Sequence, residues 1–274
     1  MAYTRICGSK NDVMYYSHAY YDEEHLFSAE SHAHGMYEVI YVISGDITYT
    51  VEGRSYEIES GDIIVTPPGT IHTISAKNRT FYERHCALLD KSIIPKDIWN
   101  KITKGRDVFK CAENDRIRSL YSKMDEYCKI FDDTAIKAHI VQNLLEEVFF
   151  NLSIVPESEE YASVNPLIEK ALAYIAKNLT SIKNIEEISN AVYVTKSHLH
   201  HIFVRELKMT PGKYLTSKRL LLAKKKIMRG AKPTKVFGEC GFEDYATFFR
   251  NYKNYFGYPP SRINEAELDH GIMT

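Results

Sequence analysis

The chain has 274 residues, of which 44% are apolar and 26% charged, with a formal net charge of −1 at pH 7. That length and composition suit two soluble domains, each with its own core. No apolar run is long enough to span a bilayer, and no signal peptide is expected. The five cysteines lack Cys-x-x-Cys spacing, which points to reduced thiols in a cytosol rather than a disulfide framework or a Cys-based zinc site.

The near-zero net charge joins two unlike halves. Residues 1–160 hold 17 Lys+Arg against 26 Asp+Glu, whereas residues 161–274 hold 18 against 10. A basic C-terminal half fits either a polyanionic partner or a solvated basic surface.

In chain order, residues 37–74 alternate apolar and polar positions or carry β-branched runs, and Gly or Pro punctuates each run (YEVIYVISG, ITYTVEG, SYEIESG, DIIVTPPG, IHTIS). Short strands at this spacing predict a β-sandwich or barrel. From about residue 113 the period becomes helical. Ile117, Leu120, Tyr121 and Met124 make one stripe, and Ile140, Leu144, Leu145, Val148 and Phe149 a second. The intervening FDDT turns and caps, so 113–153 reads as a helical hairpin. Residues 156–164, PESEEYASV, are the best linker candidate, between domains at 1–155 and 165–274.

Beyond the linker every segment reads as helix: 166–179, 185–192, 196–207, 211–229, 234–240 and 244–256. Asn184 and Glu187 have capping-box spacing, Thr195 caps the next helix, and Pro211 suits the first turn of a long basic helix. In 196–207, Leu199, Ile202 and Phe203 face inward. Lys196, Ser197, His198, His200, His201 and Arg205 face outward, which is the arrangement a major-groove helix needs. His198 and His201 share a face and could hold a metal, but the competing solvated or DNA-facing role needs no further ligand.

In GFEDYATFFRNYKNYFGYPP (241–260), Gly241 suits a turn with φ > 0 and Asp244 suits a helix cap. Phe248, Tyr252, Tyr255 and Phe256 fall on one side of that helix, and Tyr245, Ala246, Phe249, Arg250 and Lys253 largely on the other. Gly257 and Pro259-Pro260 end it. Arg250 can hold a guanine edge bidentately or contact a phosphate. Phe249 can meet a thymine methyl or pack on the neighbouring helix.

Residues 166–262 resemble the DNA-binding domain of the AraC/XylS family of bacterial transcription regulators, through the GF…FFR…YKNYFGYPP ending above all. The resemblance implies two helix-turn-helix units joined by the helix 211–229, with both recognition helices in successive major-groove segments of promoter DNA. By motif position they carry Ser197, His198, His200 and His201 in the first unit, with Lys196 beside them, and Tyr245, Ala246, Phe249 and Arg250 in the second, with Lys253 nearer the backbone. Phe237, Gly238 and Asn251 depart from the family pattern. A ring at 237 would open the helix packing, and a mid-helix glycine costs about 1 kcal/mol.

Residues 32–45 (HAHGMYEVIYVISG) and 61–72 (GDIIVTPPGTIH) resemble the two motifs of the cupin barrel. His32, His34, Glu38 and His72 match its ligand pattern. They could hold a divalent metal, or bond a small polar effector or the chain itself. The second motif departs from pattern at Ala76, where asparagine is usual. Tyr37, Tyr41, Tyr49 and Tyr56 could wall a sugar site or pack the fold, and Trp99 could pack the barrel on the helices.

The expected fold class is therefore multidomain β + α: an N-terminal cupin-like β-barrel with a helical hairpin, then an all-α tandem helix-turn-helix. The resemblance implies a sequence-specific regulator, more often an activator. Its effector would be a sugar or other carbon source, it would dimerise through the hairpin (which could instead only cover its own barrel), and RNA polymerase would be a partner. A metal-dependent cupin enzyme fused to a DNA-binding domain is the alternative; a constitutive DNA binder whose barrel only dimerises is a third.

Overall fold

In a computed structural model, residues 3–22, 28–79, 81–156 and 163–262 are described. Residues 157–162 of the expected linker lie outside them. The chain divides into two units, Met1–Val51 with Ser55–Ala162, and Ser163–Thr274 with Glu52–Arg54.

The first unit contains β1 (Tyr3–Lys10), β2 (Met14–Tyr21), β3 (Tyr37–Ser44), β4 (Ile47–Val51), β5 (Arg54–Ile58), β6 (Ile63–Thr66), β7 (His72–Ala76) and β8 (Tyr82–Leu89). These are followed by α1 (Lys96–Thr103), β9 (Val108–Phe109), α2 (Asp115–Ile130) and α3 (Thr134–Leu152). The larger sheet runs β1-β2-β8-β3-β6-β9, and a smaller sheet contains β5, β4 and β7 in that order. Among the described residues no ladder joins the two sheets into a closed barrel.

Strand periodicity explains the layering. Successive side chains point to opposite faces, and β3 is buried on both. Ile40 and Val42 meet Ile47, Tyr49, Val51 and Ile74 of the smaller sheet. Val39 and Tyr41 meet Ile117, Leu120, Tyr121 and Met124 of α2 and Val141, Leu145 and Phe149 of α3. Burying such a side chain contributes about 1.5–3 kcal/mol, so two filled faces hold β3 at the centre.

Trp99 of α1 packs between sheet and helices. It stacks on Tyr37 at 3.7 Å between ring centroids and meets Phe149 edge-on at 4.6 Å. Tyr41 stacks on Tyr121 at 4.3 Å. Tyr37 and Tyr41 therefore line the helix-facing side, and of the four candidate sugar-wall tyrosines only Tyr49 and Tyr56 belong to the layer between the sheets. The strand period decides this, since Tyr37 and Tyr41 share parity with Val39.

Gly61, in the turn before β6, has φ of 89°. A Cβ there would lie 2.5 Å from Ala112 Cα, so the turn and the close approach both require glycine.

The second unit contains α4 (Pro166–Asn178), α5 (Ile185–Ala191), α6 (Lys196–Leu207), α7 (Pro211–Met228), α8 (Pro233–Glu239) and α9 (Tyr245–Phe256). The long helix α7 is buried along more than one face. Leu220, Ala223 and Ile227 pack with Val236, Phe248, Tyr252 and Phe256 of the second helix pair, whereas Tyr214 meets Phe203 of α6 edge-on. Its basic character is not all solvated. Lys224 is buried with Nζ 5.0 Å from the Phe256 ring centroid, where the ring face attracts the ammonium. None of the described helices is long and apolar enough to cross a membrane.

Candidate functional site

Two sites follow from this scaffold, one in each unit. In the second unit, caps set both outward-facing helices. Thr195 Oγ1 accepts from His198 N at 3.2 Å and starts α6; Asp244 Oδ1 accepts from Thr247 N at 2.7 Å and starts α9. Upstream, Asn184 Oδ1 accepts from Glu187 N at 3.1 Å, and Glu187 Oε1 accepts from Lys183 N, one residue earlier than a reciprocal box requires. These side chains satisfy donors that the first helical turn leaves without partners.

On α6, Leu199, Ile202 and Phe203 are buried, while Lys196, Ser197, His198, His200 and His201 are exposed. Lys196 is tethered to Glu186 of α5, and Arg205 to Glu206 beside it. On α9, Ala246, Phe249, Arg250 and Lys253 are exposed, with Phe249 at 36%. Tyr245 is half-buried against Phe237, whose ring it meets edge-on at 5.8 Å. Phe237 thus fits at the turn by packing on an aromatic partner. Arg250 makes a long contact to Thr247 Oγ1 (3.4 Å) and keeps its guanidinium at the surface. Tyr255, expected on the buried side, is half-buried and packs against the same core. Sequence patterning does not pick out Tyr193. It sits between α5 and α6 with φ of 59° and is 95% exposed. Its only sequence signal is a bulky ring at a turn.

In the first unit, His32, His34, Glu38 and His72 come together. Glu38 lies on β3 with the parity of Ile40, so it points between the sheets. His72 opens β7, and reciprocal backbone bonds to His32 (3.0 and 2.9 Å) stitch the preceding loop beside it. Gly69 N donates to His34 O at 2.8 Å and fixes the other end of that loop.

The three imidazoles each offer a ring nitrogen within 4.8 Å of the others. His72 Nε2 lies 2.8 Å from Glu38 Oε2, and His34 Nε2 lies 3.7 Å from it. Each Nδ1 faces a backbone carbonyl: Glu30 O for His32 (2.8 Å), Met36 O for His34 (2.9 Å) and Thr70 O for His72 (2.9 Å). A carbonyl only accepts, so each Nδ1 carries a proton and directs the Nε2 edge inward.

Burial pushes the Glu38 carboxyl up, but the His34 and His72 imidazoles outweigh it and hold the group well below the usual carboxylate range. Burial, then repulsion from His72, lowers His32 to about 4. Cys86 Sγ donates to Glu38 Oε1 at 3.5 Å, and Tyr49 bonds Thr66 Oγ1 at 2.8 Å with its ring 6.3 Å from His72. Three inward Nε2 atoms and one buried carboxylate fit a divalent cation, and the same donor set suits a small hydroxylated ligand.

A helix-turn-helix domain family matches residues 188–266, and a cupin domain family matches residues 23–80. The multiple antibiotic resistance protein MarA of Salmonella typhimurium is 31% identical over 105 residues, covering 38% of this chain and 82% of MarA. The lactose operon transcription activator of Staphylococcus xylosus is 22% identical over 247 residues, 84% of this chain and 82% of that one. Among solved structures, apo ToxT K231A from Vibrio cholerae aligns over 94% of this chain and 99% of its own at 11% identity, with a TM-score of 0.42. With its helix-turn-helix units and its cupin domain, the chain belongs to the AraC/XylS family of bacterial transcription regulators.

Proposed function

We propose that this DNA-binding regulator is a cytoplasmic homodimer that activates transcription in response to a small hydroxylated effector, a sugar or related carbon source. The cluster of His32, His34, Glu38 and His72, of which Glu38 and His72 are buried and the other two half-buried, carries this reading. Four polar groups converge in an otherwise apolar layer, with Tyr49 beside them, which is the chemistry that holds a small polar ligand. A divalent metal there would be held by the three Nε2 atoms and Glu38 Oε2. When bound, it would supply a Lewis-acid centre that a vicinal diol can ligate.

Promoter DNA is read by Ser197, His198, His200 and His201 on α6 and by Ala246, Phe249 and Arg250 on α9, with Lys253 on the phosphates. Tyr245 and Lys196 contribute from positions partly occupied by Phe237 and Glu186. The α2–α3 hairpin supplies the dimer surface. Ile136, Ile140 and Leu144, spaced four apart on α3, stay exposed or half-buried beside the stripe that covers the sheet. The effector favours one arrangement of the dimer by a few kcal/mol, and the DNA-bound dimer recruits RNA polymerase.

The test is DNA-site selection with the full chain, repeated across a panel of sugars. An effector that changes affinity or dimerisation, and fails to do so in His72→Ala, supports the reading. Effector-independent DNA binding in every case overturns it. The complete three-His, one-Glu set also favours a second reading, a metal-dependent cupin enzyme on a DNA-binding tail. Metal-dependent turnover of a panel compound would establish that instead.

A further inference from the structure

A second group of ligand-type side chains lies on the helix-facing side of the larger sheet, away from both sites above. Cys7 on β1 and His18 on β2 are direct cross-strand partners, and His18 in turn pairs with His85 on β8. The ladder shifts register between Arg5 and Cys7, an irregularity that re-aims the strand's side chains. Asp125 of α2 closes the group from above. His18 Nδ1 is 2.8 Å from Asp125 Oδ1, and Cys7 Sγ donates to the same oxygen at 3.4 Å. Cys7, His18 and Asp125 each place one ligand atom within 4.8 Å of the others. Cys128, one turn further along α2, neighbours Cys7 but stands outside that 4.8 Å group. Both thiols are only partly buried and neither is in a disulfide.

One carboxylate oxygen thus accepts from both a thiol and an imidazole, two groups that bind a borderline-soft cation once their protons leave. His18 Nε2 lies 2.9 Å from Glu83 Oε1. That outer carboxylate holds the Nε2 proton and leaves Nδ1 as the ligating atom. Cys7, His18 and Asp125 bring a sulfur, an imidazole nitrogen and a carboxylate oxygen together, and the Cys128 thiol, turned toward them, would complete a tetrahedral donor set; magnesium and calcium favour oxygen alone.

We propose that Cys7, His18, Asp125 and Cys128 form a binding site for zinc, with Glu83 orienting His18 from outside. Binding sends the Cys7, Cys128 and His18 Nδ1 protons to solvent and moves no electrons. Because the ligands come from β1, β2 and α2, occupancy fastens the helical hairpin to the sheet.

The test uses the full chain without an affinity tag, stripped of metal by a chelator under reducing conditions. The variant His32→Ala/His72→Ala disables the interior cluster, so metal it retains after gel filtration reports on the second site. It is expected to keep one equivalent of zinc and to lose it when Cys7→Ser and Cys128→Ser are added. In the unsubstituted chain zinc should slow alkylation of Cys7 and Cys128, mapped by peptide, without slowing that of Cys111 or Cys240. Cobalt(II) should give a thiolate charge-transfer band. Glu83→Gln should weaken zinc binding about 10-fold. Unchanged alkylation of Cys7 and Cys128 in zinc, a cobalt complex without a thiolate band, or air oxidation of the pair to a disulfide at the same rate with and without zinc would each overturn the proposal. The alkylation readout needs no substitution, so a variant that fails to fold leaves the proposal testable.

Discussion

A Cβ on Gly241 would lie 2.8 Å from the guanidinium carbon of Arg219. Arg219, on α7, donates from Nε to Leu179 O at 2.9 Å and from Nη2 to Ile182 O, so it ties α7 to the loop that precedes the first helix-turn-helix. Gly241, with φ of 87°, forms the turn of the second. One arginine therefore buttresses the turn of one unit and the entrance of the other. Gly241→Ala should cost about 1–2 kcal/mol from the left-handed backbone alone, with more from the displaced guanidinium. The expected result is a lower denaturation midpoint for the C-terminal unit and weaker DNA binding. An unchanged midpoint would mean that neither the left-handed backbone nor the contacts with Arg219 and Thr180 O resist a methyl group there.

Gly238 provides the contrast within the same pair of helices. A Cβ there would meet nothing within 4 Å, and its φ is not positive. Gly238→Ala should raise the stability of this unit by about 0.5–1 kcal/mol through the helix backbone. Chemical denaturation of the full chain, followed through the C-terminal transition, checks it. A loss of stability would show that α8 needs the glycine for motion or for a partner.

The C-terminal helices were legible because their ends are written in single residues. Asn165, Asn184, Thr195, Thr210 and Asp244 each accept a backbone N–H at a helix start, and every one is a residue type that favours this role. Strands β1, β2 and β8 were not legible. β2 is buried on both faces over Met14–Ala19, which erases the alternation that marks a half-exposed strand. The cupin-type residues were readable as a motif, whereas the Cys7–His18–Asp125 group was not. Its members sit 107 and 118 residues apart in the pairs that touch. Cys-x-x-Cys spacing tests for ligands within one local turn and says nothing of ligands that a sheet and a helix bring together. The side of the sheet on which Tyr37 and Tyr41 fall was a question of parity, open until the register was known.

His72 and Glu38 form a buried pair at 2.8 Å. Removing His72 leaves Glu38 with only the longer contacts to His34 (3.7 Å) and Cys86 (3.5 Å), so His72→Ala should cost about 3 kcal/mol in the metal-free protein. Glu38→Ala on top of it should restore part of that stability, because the orphaned charge leaves too. A double-mutant cycle by thermal or denaturant unfolding measures the coupling. Additive losses would show that the pair is not electrostatically linked, and would weaken the case that these residues form one binding cluster.

Arg250 and Lys253 share the exposed face of α9 but should fail differently. A guanidinium can hold guanine O6 and N7 together, whereas an ammonium acts as a point charge. Arg250→Ala should cost about 1–3 kcal/mol on the selected site and relax preference at one base pair. Lys253→Ala should weaken all sequences alike and reduce the slope of log affinity against log salt by about 1, the contribution of one phosphate contact. Titrations on the selected site and on single-base variants, each at several salt concentrations, separate the two. If Arg250→Ala weakened every sequence equally and flattened the salt slope, both residues would be positioning contacts. Base readout in the second unit would then fall to Tyr245, Ala246 and Phe249, of which the last two can distinguish only a thymine methyl.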